Sequence, residues 1–243
     1  MEKTYTFLYN RHEATVIVPE NANGEWIWKT EFLYAFDAAE RALLEKGYTR
    51  VYYSVSDKYG SPEAIRLMHA FFFEVTAKFS LRGKCHLFGF SRGGLYAFNF
   101  ALFYPELVAS VYLDAPVLDL KSWPLPHSEE QRQMFGEYAL NEDTLPLFRE
   151  NPADNFGEFF SLRLPVLLVA GAKDSLVAFP EERFCVPRPR HTAFPENGGA
   201  LLNYCAEHKI AVESHIKPNG DHHPHSLPDV SPIVRFVVSH SLI

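Results

Sequence analysis

The run Gly89-Phe90-Ser91-Arg92-Gly93-Gly94, which matches the pattern G-x-S-x-G, restricts the fold of this chain more than any other feature. The residues before the serine, Cys85-His86-Leu87-Phe88-Gly89-Phe90, form a predominantly apolar run, and a helical pattern follows it at once. The context predicts a buried strand, a sharp turn at Ser91 and a helix, because the glycines let strand and helix approach closely. The helix N-terminus would also stabilise an oxyanion formed at Ser91, which indicates a nucleophile. The alternative is a glycine-rich turn with an idle serine.

Strand and helix patterns alternate along most of the chain. Residue types typical of strands occupy residues 4–9, 14–18, 50–55, 84–90, 108–113, 165–170 and 210–216. Apolar residues recur at helical spacing over residues 29–46, 65–79, 92–104, 197–208 and 231–239. This alternation predicts an α/β fold with a mostly parallel sheet flanked by helices on both faces.

The length of 243 residues suits a single α/β domain over residues 1–243. Residues 116–164 break the alternation and are rich in Pro, Glu and Asn, so we expect a small cap-like insertion beside the site. A second irregular segment, residues 179–195, is rich in proline. It comes shortly after Asp174, a candidate site residue discussed below, and could reshape the site.

Charge and cysteine content exclude several classes of function. The net charge is −7, and the absence of any Lys/Arg-rich run disfavours nucleic acid and anionic membranes as partners. The N-terminus lacks a signal-peptide pattern and no apolar run reaches the roughly 20 residues of a membrane span, so we expect a cytoplasmic protein. Three scattered cysteines form no disulfide framework, although a Cys185–Cys205 bridge is an open alternative.

A serine nucleophile needs a base and an acid, and in such folds they follow in the order Ser, Asp/Glu, His. Asp174 follows the strand at residues 165–170 through Gly171-Ala172-Lys173, which places it at a strand's carboxyl end. Asp114, at the end of the preceding strand, is the competing candidate. Either carboxylate could instead cap a helix or stabilise a turn.

The candidate base lies in Gly220-Asp221-His222-His223-Pro224-His225, after the last strand. We favour His222 over His223, and we expect His225 to hold this loop through a ring hydrogen bond. The cluster also raises the question of a metal. Adjacent histidines in a proline-broken loop are expected to point apart, and no H-E-x-x-H motif is present, so the sequence predicts neither a metal nor another cofactor.

Ser91, Asp174 and His222, in this order and on this background, resemble the α/β-hydrolase superfamily over nearly the whole chain. Three longer motifs are similar to a bacterial subgroup resembling carbohydrate esterases: Gly89-Phe90-Ser91-Arg92-Gly93-Gly94-Leu95-Tyr96, Asp114-Ala115-Pro116 with Lys121-Ser122-Trp123-Pro124, and His222-His223-Pro224-His225-Ser226-Leu227. Two departures are Asp221, where relatives usually have glycine, and the proline-rich segment after Asp174.

The resemblance implies an oxyanion hole formed by the Arg92 amide and an amide of the loop after an earlier strand. The sequence places that loop at residues 21–28 and suggests Trp28, with Trp26 as the alternative. Trp123 and Lys121, at the start of the predicted cap, could line a sugar pocket. Trp123 could equally be part of the cap's own core.

The resemblance implies an esterase that forms an acyl-enzyme and acts on a small-molecule or carbohydrate ester, with an acetyl or similar small acyl group favoured. A small peptidase or amidase would use the same three residues. A third possibility is a binding protein on a hydrolase fold whose site is impaired by Asp221 and the proline-rich segment.

Overall fold

A computed structural model describes residues 2–174 and 196–242. The strands are β1 (Glu2–Tyr9), β2 (His12–Pro19), β3 (Trp26–Lys29), β4 (Thr49–Tyr53), β5 (Cys85–Phe90), β6 (Val108–Asp114), β7 (Val166–Gly171) and β8 (Glu213–Lys217). The α-helices are α1 (Ala38–Glu45), α2 (Pro62–Phe79), α3 (Gly93–Phe103), α4 (Glu129–Tyr138), α5 (Phe156–Ser161), α6 (Gly198–Glu207) and α7 (Ser231–Ser239). Short 3-10 turns occupy Ser56–Lys58, Pro105–Leu107, Leu145–Leu147 and Pro152–Asn155.

The eight described strands form one sheet in the order β1-β2-β4-β3-β5-β6-β7-β8. β2 pairs antiparallel with β1 and β4, whereas all pairs from β4 to β8 are parallel. The prediction of an α/β fold with a mostly parallel sheet is therefore confirmed. The carboxyl ends of β3 and β5 to β8 lie along one edge, where such folds place their functional loops.

Helices cover both faces of this sheet, and the central strands are buried on both sides. Along β3, Trp26 and Trp28 pack into one core cluster with α2 and α3, while Ile27 packs into the other with α1 and α7. β5 divides in the same way, with Leu87 in the first cluster and Phe88 in the second. Successive side chains of a strand point to opposite faces, so two-sided burial requires an almost continuous apolar run.

Local signals determine where two of the helices begin. α2 starts with Pro62 at its first position, and the Ser61 hydroxyl accepts a hydrogen bond from the Ala64 amide. Ser128 caps α4 in the same way by accepting from the Gln131 amide. A serine cap satisfies one of the amides that a helix start leaves unpaired, which stabilises the helix by about 1 kcal/mol.

The region around β3 differs from the prediction. A helix was expected over residues 29–46, but the chain forms β3, then a loop, and α1 begins only at Ala38. Phe32 and Phe36 have φ angles of +57° and +51°, which are incompatible with a continuous helix. β3 escaped prediction because a short strand buried on both faces shows no alternation of polar and apolar residues. The loop after β3 is therefore residues 30–37, not residues 21–28.

The segment between β6 and β7, expected as a cap-like insertion, contains α4 and α5. α4 is joined to the loop before α2 by polar contacts: Tyr59 Oη donates to Gln133 Oε1 at 2.9 Å, and Tyr138 Oη donates to the Tyr59 carbonyl at 2.9 Å. α5 packs against α3 through the stacked rings of Phe98 and Phe159, 4.1 Å apart. These contacts attach the segment to the sheet-bound helices. Its role as a cap remains a prediction.

Three further expectations concern membrane spans, the cysteines and the proline-rich segment. No helix in the described parts of the chain is long and apolar enough to span a membrane. Cys85 and Cys205 are buried free thiols, and burial raises the pKa of Cys205 to about 11, so this thiol stays protonated near neutral pH. Cys185 and the proline-rich segment at residues 179–195 lie outside the described residues.

Candidate active site

Ser91 lies in the tight turn between β5 and α3, with a φ angle of +50° in the left-handed region. Backbone hydrogen bonds hold it there: the Ser91 amide donates to the Asp114 carbonyl at 3.0 Å, and the Val117 amide donates to the Ser91 carbonyl at 2.8 Å. A Cβ atom added to Gly89 would lie only 2.8 Å from the Ala97 Cβ atom, so strand and helix approach too closely for any other residue. The turn therefore has the strained strand–helix geometry that presents a serine hydroxyl at the sheet edge.

His222 joins Ser91 and Asp174 in a chain of hydrogen bonds. Its Nε2 atom lies 3.0 Å from Ser91 Oγ, and its Nδ1 atom lies 2.7 Å from Asp174 Oδ2. His222 and Asp174 are buried. An ionised carboxylate can only accept, so Nδ1 carries the ring proton and the Nε2 lone pair accepts from the serine hydroxyl. The structure thus brings together the three residues that the sequence ranked first.

Asp114, the competing candidate for the acid, is buried and has hydrogen-bond partners other than His222. Its carboxylate accepts from His225 Nδ1 at 2.9 Å, from the Ser226 amide at 2.7 Å and from the Tyr112 hydroxyl. Burial raises the pKa of Tyr112 well above its usual value, and the Asp114 charge raises it further, so the phenol remains a donor. Asp114 therefore anchors the loop at residues 220–226, the histidine loop. His225 makes the ring hydrogen bond that was expected from the sequence.

The turn carrying Asp174 and the loop carrying His222 are in direct backbone contact. The Lys173 amide donates to the Gly220 carbonyl at 2.9 Å. A Cβ atom added to Gly171, at the end of β7, would lie 2.3 Å from the carbonyl oxygens of both Gly220 and Asp221. Only glycine permits this approach, which sets the distance between the two loops.

Gly171→Ala is therefore expected to displace the histidine loop. The added methyl group should destabilise the fold by about 1–3 kcal/mol. Displacing a catalytic group by about 1 Å costs on the order of 100-fold in rate, so turnover should fall by a similar factor if His222 is the base. Gly136→Ala is the matched control, because a Cβ atom there meets nothing within 4 Å in α4.

Urea denaturation and steady-state kinetics on both variants test this expectation. Gly136→Ala should gain roughly 0.5–1 kcal/mol, since alanine is the better helix former. Equal stability and turnover for Gly171→Ala and the unmodified chain would show that the contact is not required.

The structure corrects the predicted second oxyanion donor. Trp28 and Trp26 are fully buried in β3, and Trp28 pairs with Val51 of β4 and Leu87 of β5 in the middle of the sheet. The Trp26 ring nitrogen donates to the Arg82 carbonyl at 2.9 Å. Both tryptophans are core residues because residues 26–29 form β3, a buried strand that the sequence analysis did not predict.

The loop after β3 runs beside the start of α3 instead. The Thr30 hydroxyl lies 2.9 Å from the Gly93 carbonyl, and a Cβ atom on Gly93 would lie 2.8 Å from that hydroxyl oxygen and 3.1 Å from the Glu31 Cβ atom. Thr30 and Glu31 therefore pack closely against the start of α3, which follows Ser91. Correct placement of β3 would have identified this loop from the sequence.

Glu31 and Arg92 form an ion pair in this loop that sequence reasoning missed. Arg92 Nε and Nη2 donate to Glu31 Oε2 at 3.3 and 3.2 Å, and the Glu31 side chain is 1% exposed. Burial raises the pKa of Glu31, whereas the charge of Arg92 opposes that rise. The Arg92 guanidinium also lies 5.3 Å from the centroid of the Phe32 ring. These contacts link the loop to the residue directly after Ser91.

Trp123 and Lys121, the predicted pocket residues, lie in the segment between β6 and β7. Trp123 is half-buried with its ring 5.9 Å from that of Tyr59. Lys121 is half-buried and its Nζ atom lies 3.7 Å from Asp154 Oδ2. Their place in a substrate pocket remains a prediction.

The histidine rings lie closer together than the sequence argument allowed. The ring centroids of His222, His223 and His225 are 4.8–4.9 Å apart in every pair, at angles of 75–88°. Phe36 stacks on His223 with centroids 5.6 Å apart. Burial lowers the pKa of His223, and the neighbouring His225 and His222 lower it further, so its ring is neutral near pH 7. The expectation that adjacent rings point apart was wrong for this loop.

Comparison with protein families supports the fold assignment. Residues 80–158 match a family model described as the alpha/beta hydrolase fold. This range includes β5, the Ser91 turn, α3 and β6. No curated protein matches the chain at the level of sequence.

Solved structures resemble the chain over 99% of its length. The S-formylglutathione hydrolase FrmB of Staphylococcus aureus has a TM-score of 0.65 at 13% identity, with 98% of its own chain covered. The fluorophosphonate-binding serine hydrolase FphF of the same organism has the same TM-score, identity and coverage. Dipeptidyl peptidase 4 of Porphyromonas gingivalis also has a TM-score of 0.65, at 11% identity, with 35% of its chain covered. At these identities the likeness establishes the fold.

Proposed function

We propose that this chain, which has the α/β-hydrolase fold, is a serine hydrolase that cleaves carboxylic esters through an acyl-enzyme. The observation that carries the proposal is the hydrogen-bond chain from Asp174 through His222 to Ser91, with distances of 2.7 and 3.0 Å. A serine hydroxyl is a weak nucleophile until a base accepts its proton, and this geometry supplies that base.

Ser91, His222 and Asp174 each have a defined role in the proposed reaction. Ser91 Oγ attacks the ester carbonyl while its proton passes to His222 Nε2. Asp174 keeps the proton on Nδ1 and stabilises the imidazolium that forms. His222 then donates its Nε2 proton to the departing alcohol oxygen, which leaves an acyl group on Ser91. Water, deprotonated by the same nitrogen, attacks the acyl carbonyl and releases the carboxylic acid and the free serine.

The oxyanion that forms during both attacks needs two backbone donors. We assign the Arg92 amide, at the start of α3, and an amide of Glu31 or Phe32 in the loop after β3. The close contact of this loop with Gly93 supports the second assignment. The ion pair between the buried Glu31 and the half-buried Arg92 would hold both amides in place.

The proposed substrate is a carbohydrate carrying an acetyl or similarly small acyl group. The support is the resemblance of the motifs at Ser91, at Lys121-Ser122-Trp123-Pro124 and at His222 to carbohydrate-esterase-like sequences. The aromatic faces of Trp123 and Tyr59 would suit a sugar ring. Cleavage of a peptide or amide bond is the second candidate, because esterases and peptidases share this fold and the same three residues.

Turnover of two chromogenic substrates separates these candidates. We expect measurable hydrolysis of p-nitrophenyl acetate and no hydrolysis of a dipeptidyl p-nitroanilide. Release of acetate from acetylated oligosaccharides then tests the carbohydrate. Faster turnover of the p-nitroanilide would favour a peptidase, and no turnover of any substrate would favour a binding protein.

The two aspartates should differ sharply on mutation. Asp174→Asn removes the acceptor that fixes the His222 tautomer, so kcat should fall by about 10⁴-fold. Asp114→Asn weakens the anchor of His225 and Tyr112, so its main effect should be a stability loss of about 1–3 kcal/mol. Kinetics with p-nitrophenyl acetate and thermal unfolding measure both variants. A larger loss of kcat in Asp114→Asn would transfer the role of the acid to Asp114.

A further inference from the structure

The histidine loop brings three imidazoles together at the Ser91 site. One ring nitrogen from each of His222, His223 and His225 lies within 4.8 Å of the others. His222 and His225 are buried, whereas His223 is exposed and offers access from solvent. Three imidazole nitrogens form the ligand set of catalytic and exchangeable zinc sites, in which a fourth position stays open.

Two of these rings make the carboxylate contact that is common for metal-binding histidines. His222 Nδ1 is bonded to Asp174 at 2.7 Å, and His225 Nδ1 is bonded to Asp114 at 2.9 Å. In each ring the carboxylate fixes the proton on Nδ1, which leaves the Nε2 lone pair for another partner. Carboxylate–histidine pairs of this kind orient metal-binding histidines and increase their basicity.

His223 completes the group as its exposed member, so an ion could reach the three rings from solvent. Zinc–nitrogen bonds are about 2.0–2.1 Å long, so tetrahedral ligands lie roughly 3.3–3.4 Å apart. The three ring nitrogens, which now lie up to 4.8 Å apart, would move closer together to reach that value. His222 Nε2 would have to leave the Ser91 hydroxyl, which it now contacts at 3.0 Å.

We propose that His222, His223 and His225 form a binding site for Zn²⁺, and that the bound ion competes with Ser91 for His222 Nε2. Occupation of the site would withhold the base from the serine, so Zn²⁺ would act as a reversible inhibitor. The inhibition rests on the proposed hydrolase function, whereas the binding of the ion does not.

Calorimetric titration of ZnCl₂ into Ser91→Ala tests binding without any need for activity. We expect one Zn²⁺ per chain. Loss of an outer-shell partner costs about 10–100-fold in metal affinity, so adding His223→Ala, which removes a ligand, should weaken binding at least tenfold. His223→Asn provides a second variant at the same position. His208→Ala, an exposed histidine after α6, is the control and should retain the affinity. Undiminished binding in both His223 variants, or no binding in Ser91→Ala, would overturn the proposal.

Labelling of Ser91 by a fluorophosphonate tests the competition in the unmodified chain. Zn²⁺ should slow labelling, EDTA should restore it, and Mg²⁺, which prefers oxygen ligands, should have no effect. In His223→Ala, compared with its own metal-free rate, at least tenfold more Zn²⁺ should be required. Zinc binding without any labelling of Ser91 would contradict the proposed function alone. Binding that leaves the labelling rate unchanged would contradict the competition.

Discussion

Ser91→Ala is expected to abolish labelling by a fluorophosphonate probe and to lower turnover of p-nitrophenyl acetate by about 10³-fold or more. The substitution removes Ser91 Oγ, which lies 3.0 Å from His222 Nε2 at the end of the hydrogen-bond chain. Residual catalysis from the oxyanion donors and substrate binding remains when a nucleophile is lost, so turnover above the rate in water is still expected.

Intact-mass spectrometry identifies the labelled residue, and Ser161→Ala is the matched control. Ser161 is exposed at the end of α5 and donates to the Glu158 carbonyl, so this variant should label like the unmodified chain. Ser91→Gly separates chemistry from folding. It should be as inactive as the alanine variant but more stable by about 1 kcal/mol, because glycine adopts a φ angle of +50° without strain. An adduct on any other serine would refute the assignment of the nucleophile.

The Ser91 turn was predictable because its signals are local. The apolar run of β5, the two glycines and the helical pattern of α3 are contiguous, and they leave one arrangement of strand, turn and helix. The expected order of Ser, Asp/Glu and His along the chain then pointed to Asp174 and His222 as the partners of Ser91. Their strands end at the same sheet edge, so the parallel topology brings them together.

β3 was not predictable by the same means. Its four residues are buried on both faces, so neither alternation nor length distinguishes them from a loop or a helix start. The error moved the predicted oxyanion loop by one strand and led to Trp28. The pair between Glu31 and Arg92 was hidden for another reason: the residues are 61 positions apart, and only the sheet order makes them neighbours.

The histidine loop shows the limit of residue-by-residue rules. Adjacent side chains point in opposite directions in an extended strand, but this loop is not extended. Asp114 accepts hydrogen bonds from both His225 and the Ser226 amide, which holds this part of the loop against the end of β6. Asp114 precedes His225 by 111 residues, so no local pattern contains this contact.

His222→Ala is expected to cost about as much activity as the loss of Ser91, because nucleophile and base act as one unit and removing either disables it. His222 alone among the three histidines contacts both Ser91 Oγ and Asp174, and it is buried between them. His223 instead stacks on Phe36, with its ring centroid 4.8 Å from that of His222. His223→Ala should therefore lose far less turnover of p-nitrophenyl acetate. Both variants should keep the thermal unfolding temperature within a few degrees if their effects are chemical. Turnover that survives in His222→Ala but not in His223→Ala would place the base one residue further along the loop.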